Sequence, residues 1–104
     1  MKKISVCMAV YNGEKYIREQ IASILGQLAP GDELIISDDG SSDGTLDEAR
    51  AFGDARIRLL ANQLDRGYSG NFENAIRHAG GDIIFLSDQD DVWLPGRVEK
   101  MRAA

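Results

Sequence analysis

The chain has 104 residues, 43% of them hydrophobic and 28% charged, and it carries a net charge of −5 with a pI of about 4.7. This length allows one domain with a modest core, and the composition is that of an ordinary globular domain. The acidic balance argues against a nucleic-acid surface, which needs clustered Lys and Arg, so we expect no nucleic-acid partner. The single cysteine, Cys7, excludes an internal disulfide and fits a strand core, and we expect a cytoplasmic chain.

The first forty residues have the pattern of a strand, a helix and a second strand. Ile4 to Val10 is a nearly continuous apolar run, which is typical of a strand buried on both faces. After Asn12-Gly13, the next apolar residues share one face of a helix, namely Ile17, Ile21, Ile24, Leu25 and Leu28. Pro30-Gly31 ends this predicted helix, and Glu33 to Ser37 is the second predicted strand.

The same alternation continues along the chain. A second helix follows the loop at Asp38 to Gly44, and Thr45 with Glu48 is a predicted capping box for it. Ile57 to Ala61 is a third predicted strand, and Asn62 to Gly70 is a predicted loop. The second helix uses Leu46, Ala49 and Phe52, and the elements that remain are a helix using Phe72, Ala75, Ile76 and Ala79, a strand at Ile83 to Leu86, and the opening of a helix at Pro95 to Ala104.

Strands joined by helices predict the α/β class, with an open, mostly parallel sheet and flanking helices. The carboxyl ends of parallel strands meet at one edge, and ligands bind beyond that edge where the strand order reverses. Polar segments follow three of the strands, at Tyr11-Asn12-Gly13, at Asp38 to Ser41 and at Asp88 to Asp91. We therefore predict that these segments converge at the carboxyl edge of the sheet, which we call the rim.

The acidic segment after the fourth strand is a candidate metal site. Asp88, Asp90 and Asp91 offer hard oxygen ligands, which suit Mg²⁺, Mn²⁺ or Ca²⁺. The only histidine, His78, has no partner Cys or His nearby, so zinc is disfavoured. The competing interpretation is that these carboxylates only solvate a strand end and cap the following helix.

The other rim residues also have two interpretations. Asp39 could accept hydrogen bonds from a base or ribose, or Asp and Gly could simply form a turn. Tyr11 could stack on a base or be an ordinary rim aromatic. The first strand is followed by no Gly-x-Gly-x-x-Gly, and the sequence has no P-loop and no Gly-x-Ser-x-Gly elbow. A dinucleotide fold, a P-loop enzyme and a serine hydrolase are therefore disfavoured.

Three segments, in this order, resemble the family 2 glycosyltransferases, which use nucleotide-sugar donors and have the A-type fold. They are Ser5 to Asn12, Glu33 to Thr45 and Asp82 to Trp93, and the resemblance covers Ile4 to about Val98. It implies a Rossmann-like fold of the nucleotide-diphospho-sugar transferase type. It also implies a UDP- or dTDP-sugar donor and a glycan or lipid-linked sugar as acceptor. The form Ser-Asp-Gln-Asp-Asp-Val-Trp is similar to the branch of rhamnosyltransferases and other cell-surface polysaccharide enzymes.

The resemblance implies a nucleotide site on the first half of the rim. Ala9 and Tyr11 would line the base site, with Tyr11 against the ring. Asp39 would hydrogen-bond the uracil or thymine edge. Arg66 would approach the nucleotide from the loop that continues through Gly67 to Asn71.

The resemblance also implies a metal-dependent diphosphate site. Asp88 would face the ribose or the metal shell, and Asp90 would be the main ligand of Mg²⁺ or Mn²⁺. In the family the acceptor-activating base lies in a later segment, so no catalytic residue is assigned here. We expect residues 1–104 to be the N-terminal nucleotide-sugar-binding part of a longer, here truncated, catalytic domain, and inactive by themselves. A location of the longer protein at the inner face of a membrane is compatible with this role.

A further expectation concerns the chain as a unit. An uncovered sheet edge and apolar face would favour self-association.

The alternatives to a glycosyltransferase are a nucleotidyltransferase of similar fold and a nucleotide-binding module or pseudo-enzyme without chemistry. For the nucleotidyltransferase, Tyr11 to Glu14 offers no basic residues that would hold a phosphate. The sugar, the acceptor and the choice among UDP, dTDP and GDP stay open, as does the choice between Mg²⁺ and Mn²⁺.

Overall fold

The computed structural model describes residues 2–88, with the backbone alone at Asp88. The elements alternate in chain order as β1 (Ile4–Val10), α1 (Glu14–Leu25), β2 (Glu33–Asp38), α2 (Thr45–Arg50), β3 (Ile57–Ala61), α3 (Tyr68–Arg77) and β4 (Ile83–Asp88). The predicted helix at Pro95 to Ala104 lies outside the described residues, as do Asp90 and Asp91.

The four strands of the described range form a parallel sheet in the order β3-β2-β1-β4. The chain runs outward from β1 to β2 and β3 and then returns to the other side of β1. The strand order therefore reverses between β1 and β4, where open α/β sheets place their ligands. The prediction of an open parallel α/β sheet is confirmed.

Two apolar clusters cover the two faces of this sheet because side chains alternate along a strand. On one face, Ile4, Val6 and Met8 belong to a buried cluster with residues of α1 and α2. On the other face, Cys7 and Ala9 belong to a buried cluster with Phe72 and Ala75 of α3. All seven residues of β1 are buried, as the apolar run predicts.

The end of α1 differs from its prediction. The helix ends at Leu25, three residues before the last apolar residue of the predicted face. The guanidinium of Arg56 donates to the carbonyl oxygens of Leu25 (3.1 Å) and Leu28 (2.7 Å), so a distant side chain satisfies the last turn. Leu28 is still buried in the turn that follows.

The predicted capping box at α2 is wrong. The N-cap is Gly44 and Thr45 is the first helical residue, while the backbone N–H of Glu48 donates to the Gly44 carbonyl at 3.0 Å. The Thr45 hydroxyl instead donates to the Asp43 carboxylate and accepts from the Gly13 N–H at 2.8 Å. A contact with another loop thus replaces the local cap.

Differences also occur at α3 and β4. Helix α3 begins at Tyr68, inside the predicted loop, and Ile76 is exposed although it was assigned to the apolar face. Strand β4 continues to Asp88, but Ile84 and Leu86 are exposed on one of its faces. None of the helices between residues 2 and 88 has the length and hydrophobicity needed to cross a bilayer.

Candidate nucleotide site

The polar segments that follow the strands meet at the rim, the carboxyl edge of the sheet. In the β-sheet register Val10 lies opposite Asp38, and Ala9 lies opposite Asp88. The ends of β2, β1 and β4 are therefore adjacent, as the topology predicts.

Hydrogen bonds join the loop after β1 to the loop after β2. Asn12 adopts a left-handed conformation with φ 50°, and its side-chain oxygen accepts from the Ser42 N–H at 2.8 Å. The Asn12 N–H donates to the Ser41 hydroxyl at 2.8 Å. Because these contacts link the two loops directly, they fix the position of Tyr11 relative to Asp39.

The two adjacent aspartates where β2 ends and its following loop begins, Asp38 and Asp39, have different environments. Asp38 is buried, and its carboxylate accepts from the N–H groups of Gly40 (3.0 Å) and Ser41 (2.9 Å). It therefore stabilises its own turn. Asp39 is only partly buried, so it is the aspartate of this pair that is accessible to a ligand.

The carboxylate of Asp39 is held by two donors from the loop after β3. The side-chain amide of Asn62 donates to one oxygen and the Gly67 N–H donates to the other, each at 2.9 Å. These hydrogen bonds, assisted by the charge of Arg66, hold the pKa of Asp39 below its ordinary value. Asp39 is therefore ionised at neutral pH, and a carboxylate can accept more than two hydrogen bonds.

The other predicted nucleotide residues lie around Asp39. Arg66 is exposed and donates to the Asp39 backbone carbonyl at 3.2 Å, which places a positive charge next to the loop after β2. Tyr11 is about half exposed at the end of β1. Ala9 is buried in the cluster beneath α3, so its side chain packs against the protein core.

The predicted metal ligands are only partly within the described residues. Asp88 is the last residue of β4, and its backbone pairs with Ala9 at the rim, whereas Asp90 lies outside the described residues. Between residues 2 and 88, no group of three His, Cys, Asp or Glu side chains could hold a metal ion. His78 follows the C-terminus of α3, away from the rim, and its ring nitrogen Nδ1 lies 2.8 Å from the Asn74 carbonyl.

Three asparagines were missed by the sequence reasoning. Asn62 orients Asp39, and Asn74 links the Ser37 hydroxyl to the Ala61 carbonyl. Asn71 is buried and donates to the Val10 carbonyl at 3.2 Å. Their positions in the sequence could have indicated that Asn71 and Asn74 are buried, because they stand next to Phe72 and Ala75 on the buried face of α3.

The sequence matches the profile of Glycosyl transferase family 2 over residues 5–104. This chain belongs to glycosyltransferase family 2. The resemblance drawn from the three segments is confirmed, and the family is one of enzymes.

Relatives of this family 2 chain include two bacterial glucosyltransferases. It is 38% identical over 96 residues to the UDP-Glc:alpha-D-GlcNAc-diphosphoundecaprenol beta-1,3-glucosyltransferase WfgD of Escherichia coli, covering 92% of the chain and 38% of the relative. It is 33% identical over 104 residues to the GalNAc(5)-diNAcBac-PP-undecaprenol beta-1,3-glucosyltransferase of Campylobacter jejuni, covering 97% and 34%. The chain thus spans less than two fifths of the length of these relatives.

Solved structures of glycosyltransferases share the fold. S. aureus TarS 1-349 superposes with a TM-score of 0.87 at 26% identity, covering 97% of this chain and 31% of TarS. The mannosyltransferase of Pyrobaculum calidifontis, in complex with GDP-Man and Mn²⁺, has a TM-score of 0.81 at 27% identity, covering 92% and 29%. The fold of this family 2 chain is therefore the A-type glycosyltransferase fold.

Proposed function

We propose that this chain binds the nucleotide-sugar donor of a metal-dependent glycosyltransferase that acts in cell-surface polysaccharide synthesis. The enzyme would transfer a sugar from a nucleoside diphosphate to an acceptor hydroxyl on a glycan or a lipid-linked sugar. The observation that carries the proposal is the accessible Asp39 carboxylate, which lies with Tyr11 and Arg66 on the rim of a family 2 chain. In this proposal residues 1–104 are the N-terminal nucleotide-sugar-binding part of the catalytic domain.

The rim has the chemistry needed to bind a uracil or thymine nucleotide. Both bases present a ring N–H, and the Asp39 carboxylate is an acceptor for such a donor. The half-exposed ring of Tyr11 offers an aromatic surface on which a base stacks. Arg66 adds a positive charge on the same rim, and a diphosphate would be attracted to it. A structure of TarS with UDP-GlcNAc has 27% identity to this chain, and a related nucleotide sugar is the donor class that we assign.

The proposed metal ligands are Asp88 and Asp90, with Mg²⁺ or Mn²⁺ as the ion. The backbone of Asp88 at the rim supports this assignment because it starts the Asp-x-Asp segment beside β1. When bound, the ion would neutralise charge on the diphosphate leaving group. The Mn²⁺ complex of M. tuberculosis glucosyl-3-phosphoglycerate synthase with UDP, whose sequence is 28% identical to this chain, is consistent with such an ion.

The rim carboxylates within residues 2–87 support the expectation that this chain lacks the acceptor-activating base. Asp38 accepts hydrogen bonds from its own turn and Asp43 from the start of α2, and Asp39 is assigned to the nucleotide in this proposal. A general base needs a carboxylate that can reach the acceptor hydroxyl. We therefore propose that a further segment contributes this base and that residues 1–104 do not transfer sugar by themselves.

The proposal is tested by titrating UDP into the chain by calorimetry, with and without Mn²⁺. We expect Asp39→Asn to weaken UDP binding by about 10- to 100-fold, because a hydrogen bond to a charged group contributes about 1.5–3 kcal/mol. Asp90→Asn should remove the enhancement of binding by Mn²⁺. The matched control is Asp47→Asn, whose exposed carboxylate lies on α2 and pairs with Arg50.

Two results would contradict the proposal. One is a folded chain that binds none of UDP, dTDP and GDP in the presence of Mn²⁺. The other is UDP binding that responds equally to Asp39→Asn and to the Asp47→Asn control. Binding that is tight but independent of the metal and of Asp90 would favour a nucleotide-binding module over a metal-dependent transferase.

A further inference from the structure

Asn71 is a buried asparagine that uses only one end of its side-chain amide. It lies near the start of α3 with 3% of its surface exposed, and its Nδ2 donates to the Val10 carbonyl at 3.2 Å. Its carbonyl oxygen Oδ1 is buried and has no hydrogen-bond partner within the part of the chain that the structure describes. A buried acceptor without a partner lowers the stability of a fold, so its presence needs an explanation.

The Val10 carbonyl does not need the Asn71 amide as a partner. It already accepts the backbone N–H of Asp39 at 3.0 Å. A leucine at position 71 would have the same branching as asparagine and would leave no side-chain polar atom unpaired. The pairing of buried polar groups alone would therefore favour an apolar residue at this position.

Asn74, one turn later on the buried face of α3, shows the ordinary structural use of a buried asparagine. Its Nδ2 donates to the Ser37 hydroxyl at 2.9 Å and to the Ala61 carbonyl at 3.1 Å. Its Oδ1 accepts from the Gln63 N–H at 3.3 Å, so both ends of the amide are paired. The two asparagines are equally buried, and burial therefore does not explain why Asn71 differs from Asn74.

Four hydrogen bonds form a closed ring of residues that passes through Asp39. The Asp39 N–H donates to the Val10 carbonyl at 3.0 Å, and the Gly67 N–H donates to the Asp39 carboxylate at 2.9 Å. The Asn71 N–H donates to the Gly67 carbonyl at 3.0 Å, and the Asn71 side chain returns to the Val10 carbonyl. We call these four residues the Asp39 ring. Asp39 is held at its backbone by Val10 and at its side chain by Gly67, and Asn71 joins these two holding groups.

The Asn71 amide fixes a distance that apolar packing does not. Phe72 and Ala75 belong to a buried cluster with Cys7, and such contacts hold α3 on the sheet without a preferred direction. A hydrogen bond restricts distance and angle, so the amide ties the start of α3 to the carbonyl at the end of β1. The other three links of the Asp39 ring use backbone groups or the Asp39 carboxylate itself. A substitution at Asn71 is therefore the way to open the ring without changing Asp39.

We propose that Asn71 is a positioning residue of the nucleotide site, which holds the Asp39 carboxylate in place through the Val10 carbonyl and the Gly67 N–H. This role rests on the proposed function, because the position of Asp39 affects nucleotide affinity only if Asp39 binds the base. The unpaired oxygen of Asn71 then follows from its chemistry, since an amide that supplies the donor also brings an acceptor.

The first test measures UDP binding and stability in Asn71→Leu. Calorimetric titration with UDP and Mn²⁺ should show affinity weakened by about 3- to 10-fold, which corresponds to one ordinary hydrogen bond. The same substitution in the Asp39→Asn background should have no further effect, because Asn71 acts through the carboxylate. The urea midpoint of Asn71→Leu should be unchanged or higher, since the unpaired acceptor is removed. Asn71→Ala removes the same donor without added bulk and replaces the Leu variant if that variant does not fold.

The matched control for stability is Asn74→Leu. This substitution removes three hydrogen bonds at the same depth on the same helix, so it should lower the urea midpoint. Opposite or clearly different responses of the two asparagines separate a positioning role from a structural one.

The second test needs no nucleotide. Carboxyl chemical shifts followed over pH in the free chain should give a pKa of Asp39 that lies closer to its ordinary value in Asn71→Leu than in the native chain. The reason is that the Gly67 donor is less well placed when the ring is open. Asn62 and the charge of Arg66 act on Asp39 in both chains, so the change should be partial.

Two outcomes would overturn the inference. An equal loss of UDP affinity in the native and the Asp39→Asn backgrounds would show an effect that does not pass through Asp39. An unchanged Asp39 titration in a folded Asn71 variant would show that Asn71 does not position the carboxylate. A native chain that binds no UDP would contradict the proposed function instead, and the titration in the free chain would still decide the role of Asn71.

Discussion

Residue-scale contacts decide how the rim presents Asp39. The first turn of α3 approaches the loop after β3 so closely that a Cβ at Gly70 would overlap the Asp65 carbonyl oxygen. This approach lets the Asn62 side chain donate to Asp39 and to the Asp65 carbonyl at the same time. It also brings the Gly67 N–H to Asp39 at 2.9 Å. Gly70 therefore helps to set the position and the charge of the proposed nucleotide-binding carboxylate.

We predict that Gly70→Ala moves the loop away from α3 and raises the pKa of Asp39 toward its ordinary value, because the Asn62 and Gly67 hydrogen bonds lengthen. The backbone overlap should also cost about 1–3 kcal/mol of folding free energy. Carboxyl chemical shifts followed over pH measure the first effect, and urea unfolding measures the second. Gly31→Ala is the control, since nothing lies within 4 Å of its Cβ position. An unchanged Asp39 titration in a folded Gly70→Ala chain would refute the coupling.

At the scale of elements, Arg56 joins the end of α1 to the start of β3. Its guanidinium donates to the carbonyl oxygens of Leu25 and Leu28 and forms an ion pair with Asp54 at 2.7 Å. The hydrogen bonds from Arg56 hold the pKa of Asp54 at about 2, so the carboxylate stays charged and orients the guanidinium. One side chain thus ends a helix that the apolar pattern alone would have extended to Leu28.

We predict that Arg56→Met destabilises the chain by about 1–3 kcal/mol, because the last carbonyls of α1 lose charged donors. Arg56→Lys should recover only part of the loss, since a single ammonium cannot reproduce the planar set of donors. Urea unfolding followed by circular dichroism measures both changes. Arg50→Met is the control, because Arg50 forms only an exposed ion pair with Asp47, and such pairs contribute little. Equal effects of the two Met substitutions would contradict a role of Arg56 in ending α1.

At the scale of the whole molecule, Glu33 links four segments at the amino edge of the sheet. Its carboxylate accepts from the Ser5 hydroxyl at 2.5 Å and from the Gly80 N–H at 2.8 Å. Lys3 and Arg58 lie 3.8 Å and 3.5 Å from the same side chain. Burial by itself raises the pKa of Glu33, but these hydrogen bonds and charges outweigh it and hold the pKa below its ordinary value.

The sign of this shift predicts how stability depends on pH. A carboxyl group whose pKa is lower in the folded state stabilises the fold above its unfolded pKa, and this stability is lost as the pH falls through the folded value. We therefore expect the chain to lose stability below about pH 4, which is near the ordinary pKa of Glu. Glu33→Gln should be less stable at neutral pH and should show a smaller loss on acidification, measured by thermal unfolding between pH 2 and 7. The exposed Glu73→Gln is the control, and an equal acid response of the two variants would disprove the assignment.

The sequence by itself determined the class of the fold and the location of its rim. Apolar runs and helical spacing are local properties, so they located all four strands, and topology then required the segments after β1, β2 and β4 to meet. The tertiary structure decided the role of each polar side chain on the rim. Adjacent aspartates with the same chemistry were separated into a buried turn former, Asp38, and a partly exposed acceptor, Asp39. The donors to Asp39 come from Asn62 and Gly67, more than twenty residues away. Likewise, similar apolar runs gave a fully buried β1 and a β4 with Ile84 and Leu86 exposed, because burial depends on what covers a strand and not on the strand itself.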